Sequence, residues 1–145
     1  MPSITPFLWF DTQAEEAARF YATIFADAHV GDVSRYPDGR AMSVSFRLNG
    51  QNFMALNGGP LYKFNESISM FISCDSQSEV DDLWEKLTAD GGQPGRCGWL
   101  KDKFGLSWQV IPKQMGALLQ RPGVVQAMMT MSKIDLQKLQ DAAKS

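Results

Sequence analysis

A five-residue pattern occurs twice in the 145-residue chain, as Asp11-Thr12-Gln13-Ala14-Glu15 and again, 64 residues later, as Asp75-Ser76-Gln77-Ser78-Glu79. Each copy follows a short apolar stretch and precedes an amphipathic helix pattern. In the first helix Ala17, Ala18, Tyr21, Ile24 and Phe25 fall at i, i+1, i+4, i+7 and i+8. In the second, Val80, Leu83, Trp84 and Leu87 fall at i, i+3, i+4 and i+7. Both spacings give one apolar stripe that packs on a sheet. The short Asp, Thr and Ser residues ahead of each helix are candidate N-caps, and the acids behind them sit at the positive end of the helix dipole. A chain built this way folds as two related units in tandem.

The first unit reads strand, helix, strand, strand, strand. After the helix come Val30 to Tyr36, a Pro37-Asp38-Gly39 turn, and Ala41 to Leu48. In that stretch Met42, Val44, Phe46 and Leu48 alternate with Ala41, Ser43, Ser45 and Arg47, the pattern of a half-buried strand. Asn49-Gly50 is a strong hairpin signal, and Asn52 to Asn57 is the returning strand. The second unit opens with Ser67 to Cys74 and continues with a helix over 78–89, a break at Gly91-Gly92, and Arg96 to Lys101. A turn around Asp102 to Gly105 leads to the strand Leu106 to Ile111. Its order matches the first, with one strand short or degraded around Gln93 to Gly95. Beyond Pro112, Leu118, Leu119, Val124, Val125, Met128, Met129, Ile134, Leu136 and Leu139 give short helical patterns. The expected fold is α+β: two tandem βαβββ units in a curved mixed-sheet cleft with short C-terminal helices. We expect one domain over 1–145, with units at 1–60 and 66–112 and a helical tail at 113–145.

Composition excludes several classes of function. Fourteen Lys and Arg against 16 Asp and Glu leave a net charge of −2, so no basic excess favours nucleic acid or an anionic membrane. No apolar run approaches the roughly 20 residues of a membrane span, and the N-terminus has no leader pattern, so a cytoplasmic location is expected. Two cysteines without a CxxC pair, Cys74 and Cys97, fit reduced thiols. The single histidine, His29, rules out any site that needs two imidazoles from one chain.

Strand alternation assigns faces. Ile4, Leu8 and Phe10 are expected toward the helices, which leaves Thr5, Phe7 and Trp9 on the other side. Ile68, Met70, Ile72 and Cys74, then Leu106, Trp108 and Val110, take the helix side in the second unit. Ser67, Ser69, Phe71 and Ser73, and Ser107, Gln109 and Ile111, take the opposite one. Aromatic walls among small polar groups suit a ligand pocket. Trp9 and Trp99 are the expected stacking surfaces, with Asn57 and Gln109 as hydrogen-bond partners. Cys97 is either a nucleophile beside Arg96 and Lys101 or a small packing residue. Cys74, Trp84, Trp108, Met128, Met129 and Met131 are expected in the core, Asp102 as a turn former at a hairpin tip, and Glu15, Glu16, Glu79, Asp81 and Asp82 on solvated helix faces.

Beyond these patterns, Ile4-Thr5-Pro6-Phe7-Leu8-Trp9-Phe10-Asp11, Leu56-Asn57-Gly58-Gly59-Pro60, Phe64-Asn65-Glu66, Leu83-Trp84-Glu85-Lys86-Leu87 and the block from Cys97 to Val110 resemble the PhnB-like family. That family often carries the label 3-demethylubiquinone-9 3-methyltransferase. It belongs to the vicinal oxygen chelate superfamily of glyoxalases, bleomycin-resistance proteins and extradiol dioxygenases. The resemblance extends to the tail, Met131 to Leu139. It implies a cleft, to which each unit contributes half, and a homodimer.

In the superfamily's metal enzymes the ligands fall at positions matching Thr5, Ala55 or Asn57, Ser69 and Gln109. None of these is His, Asp or Glu, so no metal is expected. The label's methyl donor would need a doubly wound sheet with a Gly-rich strand-to-helix turn, whereas Gly58-Gly59 is followed by Pro60 and an irregular stretch. The expected function is metal-free binding of a small molecule, without a cofactor, by Phe7, Trp9, Asn57, Ser69, Phe71, Cys97, Trp99 and Gln109. The alternative is an enzyme of the same fold with a dimer-completed metal site or metal-free acid and base chemistry. A third reading is a purely structural protein whose aromatic cleft is filled by a partner's tail.

Overall fold

The computed structural model describes residues 1–144. Its internal contacts divide the chain into two units, Met1–Phe64 and Asn65–Ser145. The first holds β1 (Phe7–Phe10), α1 (Ala14–Ile24), β2 (Ala28–Arg35), β3 (Ala41–Leu48) and β4 (Gln51–Asn57). The second holds β5 (Met70–Cys74), α2 (Gln77–Thr88), β6 (Gln93–Pro94), β7 (Trp99–Lys101) and β8 (Ser107–Pro112). It ends with α3 (Met115–Leu118), α4 (Val124–Met129) and α5 (Leu136–Ala143). The fold is α+β, and its strands pair into two four-stranded mixed sheets rather than one, β1-β4-β3-β2 and β5-β8-β7-β6. The repeated pattern therefore produces a repeated topology: in each unit the first strand runs parallel to the last, and the others pair antiparallel.

In the first unit α1 lays Ala14, Ala17, Ala18 and Tyr21 on a sheet face made of Leu8, Phe10, Val44, Phe46, Leu48, Phe53 and Ala55, all buried. Phe46 stacks on Phe53 with ring centroids 5.2 Å apart. Two register shifts mark the β2–β3 pairing, between Val30 and Val33 and between Ser34 and Arg35. The second leaves Met42 as an extra residue between Ala41 and Ser43. The expected alternation fails there: Ala41 is buried and Met42 exposed, because a bulge reverses the faces behind it. Ile4 also departs from expectation. It lies ahead of β1, 94% exposed, and faces no helix.

The second unit packs Val80, Leu83, Trp84 and Leu87 of α2 against its sheet, with Cys74, Leu100, Leu106, Trp108 and Val110 buried in the same unit. Burying each of these large side chains contributes about 1.5–3 kcal/mol. Ile68, expected on the helix side, precedes β5 and is 56% exposed. The degraded strand is the two-residue β6. In the tail, Met115, Val124, Ile134 and Leu139 form a cluster with Ile111 of β8. Met128 and Met131 pack against it, whereas Met129, expected in the core, is exposed, because α4 is a single-sided helix that buries Val124 instead. No helix of the described residues is long and apolar enough to cross a membrane.

The two helices start differently although their sequences match. Ser76 Oγ accepts the Glu79 amide N–H, while Glu79 Oε1 accepts the Asp75 N–H, a reciprocal closure of the first turn. The N-cap of α1 is Gln13, whose side chain makes no capping bond. The acceptor comes from another strand: Asn57 Oδ1 takes the Ala14 N–H at 2.8 Å.

Candidate functional site

Register places the sequence-predicted residues row by row. Phe71, Gln109 and Trp99 are direct neighbours across β5, β8 and β7, and Lys101 pairs with Ser107 one step further along. Direct partners share a face. Leu100 and Trp108, which alternate with them, are buried with α2, so Trp99, Lys101, Ser107 and Gln109 lie on the face turned away from that helix. Ser69 joins this face just ahead of β5, where its Oγ accepts a hydrogen bond from Gln109 Nε2 at 2.9 Å. Four of the expected residues, Ser69, Phe71, Trp99 and Gln109, are thus brought together on one sheet. Phe71 is 61% exposed and Trp99 half-buried.

A pocket of about 440 Å³ opens on this side of the unit, within the usual range for small-molecule sites. Its walls include Trp99, Lys101, Ser107, Arg96, Glu66 and Gln93. Lys101 Nζ meets Glu66 Oε1 at 2.9 Å, and that hydrogen bond, with the ammonium charge, holds the Glu66 carboxyl below the usual range. Ser107 differs from every other polar residue here. It is 1% exposed, and its Oγ has no hydrogen-bond partner among the described residues. A buried hydroxyl left unmatched costs about 1–3 kcal/mol, so native chains seldom keep one without a use.

The loop beside the pocket is held from the tail. Cys97 has φ +58°, in the left-handed region that costs a non-glycine residue about 1 kcal/mol or more, and Gly98 follows at φ +85°. A Cβ on Gly98 would fall 2.6 Å from Ile111 Cδ1 and 3.1 Å from the Val110 carbonyl, which with the positive φ disfavours any side chain there. The Cys97 and Gly98 N–H groups donate to the Met131 and Ser132 carbonyls at 2.9 and 2.8 Å. Arg96 donates to the Met129 carbonyl at 3.2 Å, and the Ser132 hydroxyl donates to the Gly95 carbonyl. Gly95 and Arg96 are pocket walls. Cys97 thus belongs to a bracing turn, half-buried, while Cys74 is fully buried and its thiol is pushed up to about 12 by desolvation, helped by the nearby Glu79 charge.

Asn57 has a different place from the one expected. Its register partner is Phe10, on the helix side, and its amide bridges the Ala14 N–H and the Ala41 carbonyl, at 2.8 and 3.0 Å. Both ends of its amide are thus engaged within the fold, where it serves as a cap and a strand tie. Trp9 donates from Nε1 to the Gly59 carbonyl at 2.9 Å, meets Tyr62 edge-on, and lies so close to Gly58 that a Cβ there would sit 2.4 Å from its ring. Phe7, 52% exposed, shares the open face of β1. Asp102 is also corrected: it is a turn former, but buried. Its carboxylate accepts from the Phe104 and Leu106 N–H groups and from Trp108 Nε1, at 2.9, 3.1 and 2.8 Å.

A larger groove of about 940 Å³ lies in the first unit, lined by Glu15, Arg19, Arg35, Arg40 and Asn57 among others. Three of its arginines are engaged: Glu15 takes Arg19 and Arg35, at 2.8 and 3.2 Å, and Arg40 pairs with Asp38 at 2.7 Å, while Asp11 and Glu16 complete the charged lining. Its cations are thus already paired, and none of its lining side chains is a buried polar group without a partner among the described residues. The positions expected to correspond to metal ligands do not fit a metal either. Ala55 is buried without a donor, Asn57 is a cap, and Ser69 and Gln109 bond each other. No three His, Cys, Asp or Glu side chains converge among the described residues.

The model of the 3-demethylubiquinone-9 3-methyltransferase family matches residues 2–111. The chain belongs to this PhnB-like family. The match ends at Ile111, just before the tail. The PhnB protein of Bacillus cereus is 31% identical over 77% of this chain and 99% of its own, with a TM-score of 0.71. A Pseudomonas aeruginosa protein, 20% identical over 78% of this chain and 98% of its own, shares the fold at a TM-score of 0.64. So does a glyoxylase/bleomycin resistance protein/dioxygenase domain from Frankia, 16% identical over 77% and 92%, at 0.52. None of the curated proteins matches. In this PhnB-like chain Gly58-Gly59 packs on Trp9 and leads into a turn, not into a helix, so this stretch is not the Gly-rich strand-to-helix turn of a doubly wound nucleotide site.

Ser107 and Lys101 were not among the expected site residues. Period-two alternation with Gln109 and Trp99 is the signal that places both on the same face.

Proposed function

We propose that this PhnB-like protein binds a small molecule without a metal or cofactor, in the second-unit pocket walled by Trp99, Lys101 and Ser107. The observation that carries this reading is the buried, unpartnered Ser107 hydroxyl beside an aromatic wall in a cavity of ligand size. Trp99 supplies apolar contact, and Gln109, Ser69 and Phe71 extend the same face.

A fragment library screened by thermal shift tests it. Hits are expected to lose their effect in Ser107→Leu, which fills the pocket, and to keep it in Arg35→Ala, which alters the larger groove. Hits indifferent to Ser107→Leu in a folded protein contradict the reading.

The same proposal treats 1–145 as one domain that forms a homodimer in the cytoplasm with both thiols reduced. Phe7, Met54 and Phe71 leave apolar surface on open sheet faces, which favours a covering partner of the same kind. Light scattering is expected to give twice the 16.2 kDa chain mass and, for Phe7→Glu, a shift toward monomer. A wild-type monomer at micromolar concentration contradicts it.

A further inference from the structure

Resting on the pocket just described, we infer that its ligand is an anion, a carboxylate or a group of like shape on a flat apolar body. Hydrogen-bonding capacity in the pocket is unbalanced. Lys101 brings an ammonium, Arg96 a guanidinium of which one nitrogen meets the Met129 carbonyl, and Ser107 an O–H with no acceptor. Against them stands a single carboxylate, Glu66, so the ionisable walls sum to one net positive charge. Donors in excess ask the ligand for acceptors.

Geometry assigns the position. Lys101 and Ser107 are direct partners across β7 and β8, which sets their Cβ atoms about 5 Å apart on one face. A carboxylate between them receives the Ser107 O–H on one oxygen and the Lys101 ammonium on the other, with its body against the Trp99 ring. In the free protein Glu66 occupies only the Lys101 side of that place, since the Ser107 hydroxyl has no partner among the described residues. Its pair with Lys101 is half exposed on both sides, so it contributes little and yields readily to a better-placed anion.

The test uses two probes of one shape and different charge, 3-phenylpropanoate and 3-phenylpropanamide, on the full chain. Binding is read from the Trp99 indole N–H signal, assigned with Trp99→Phe. The propanoate is expected to shift that signal saturably, with the amide at least tenfold weaker. Lys101→Met should weaken the propanoate roughly ten- to a hundredfold and leave the amide unchanged, while Lys101→Arg stays within a few-fold of wild type. Glu66→Gln should tighten the propanoate a few-fold by removing the competitor. Equal affinity for both probes overturns the anion assignment and leaves the pocket standing as a small-molecule site. No saturable shift by either probe overturns both.

Discussion

Asn57 Oδ1 accepts the Ala14 amide N–H at 2.8 Å, so the last residue of β4 caps a helix that begins 43 residues earlier. Its Nδ2 donates to the Ala41 carbonyl and ties β4 to the start of β3. Loss of a cap costs about 0.5–2 kcal/mol, and loss of the second bond about 1 kcal/mol. Asn57→Ala is therefore expected to lose roughly 1.5–3 kcal/mol in urea unfolding. Asn57→Asp, which keeps the acceptor and removes the donor, should fall between. A loss below about 0.5 kcal/mol for the alanine variant would show that α1 is capped by other means.

Ser107→Ala has the opposite expected sign. Most buried polar residues stabilise through a partner, but this hydroxyl has none, and its removal takes away a desolvation penalty. Thermal unfolding should show stability unchanged or raised by up to about 1 kcal/mol. A clear loss would mean that the hydroxyl is matched within the protein and that the pocket has no call on it.

Gln77 joins the tail to the second unit, donating to the Ile134 carbonyl at 2.9 Å and accepting from the Leu136 N–H at 2.7 Å. The same tail receives the Cys97 and Gly98 N–H groups. In Gln77→Ala those two amides are expected to exchange with solvent faster, by an order of magnitude for each 1.4 kcal/mol of local opening, while amides of β3 and β4 keep their rates. Unchanged exchange at Cys97 and Gly98 would uncouple the tail from the pocket loop.

Acid and alkaline limbs of stability have separate origins. Hydrogen bonds from Arg19 and then Arg35 hold Glu15 below its ordinary 4.5, Lys133 and then Gln77 hold Asp81 below 3.8, and Lys101 lowers Glu66. Depressed carboxylates stabilise above their unfolded values, and that contribution goes as pH falls through the folded ones. Stability should therefore be level from neutrality down to about pH 4.5 and decline below it, the decline shrinking in 1 M salt because these pairs are exposed. Cys74 acts at the other end: unfolded it ionises near 9.0, folded near 12, so stability falls with rising pH between those values. Cys74→Ala should flatten the alkaline limb and leave the acid limb unaltered. An alkaline limb of the same slope would assign it to other groups.

Helix stripes, the Asn49-Gly50 hairpin and the repeated Asp-to-Glu pattern made both units readable from residues alone, since each is a local signal with a fixed period. Errors arose where one residue changes the outcome. Ile4 and Ile68 lie just outside their strands, where alternation no longer applies. Met42 is the extra residue of a bulge that no propensity marks. Asn57 was legible in part, because Phe53, Ala55 and Asn57 alternate onto the helix side, but its motif position suggested the cleft. Asp102 shows the other limit: a turn residue's burial depends on Trp108, six positions on, reaching back to it. That Ser107 lacks a partner depends on every neighbour at once, and no sequence window contains that.

The most direct test of the account is a backbone amide shift map of the full chain during titration with 3-phenylpropanoate. Saturable shifts concentrated at Glu66, Gly95 to Lys101 and Ser107 are the predicted result. Shifts concentrated at Glu15, Arg35 and Arg40 in the first-unit groove, or spread without saturation, would contradict the assignment of the ligand site to Ser107 and its neighbours.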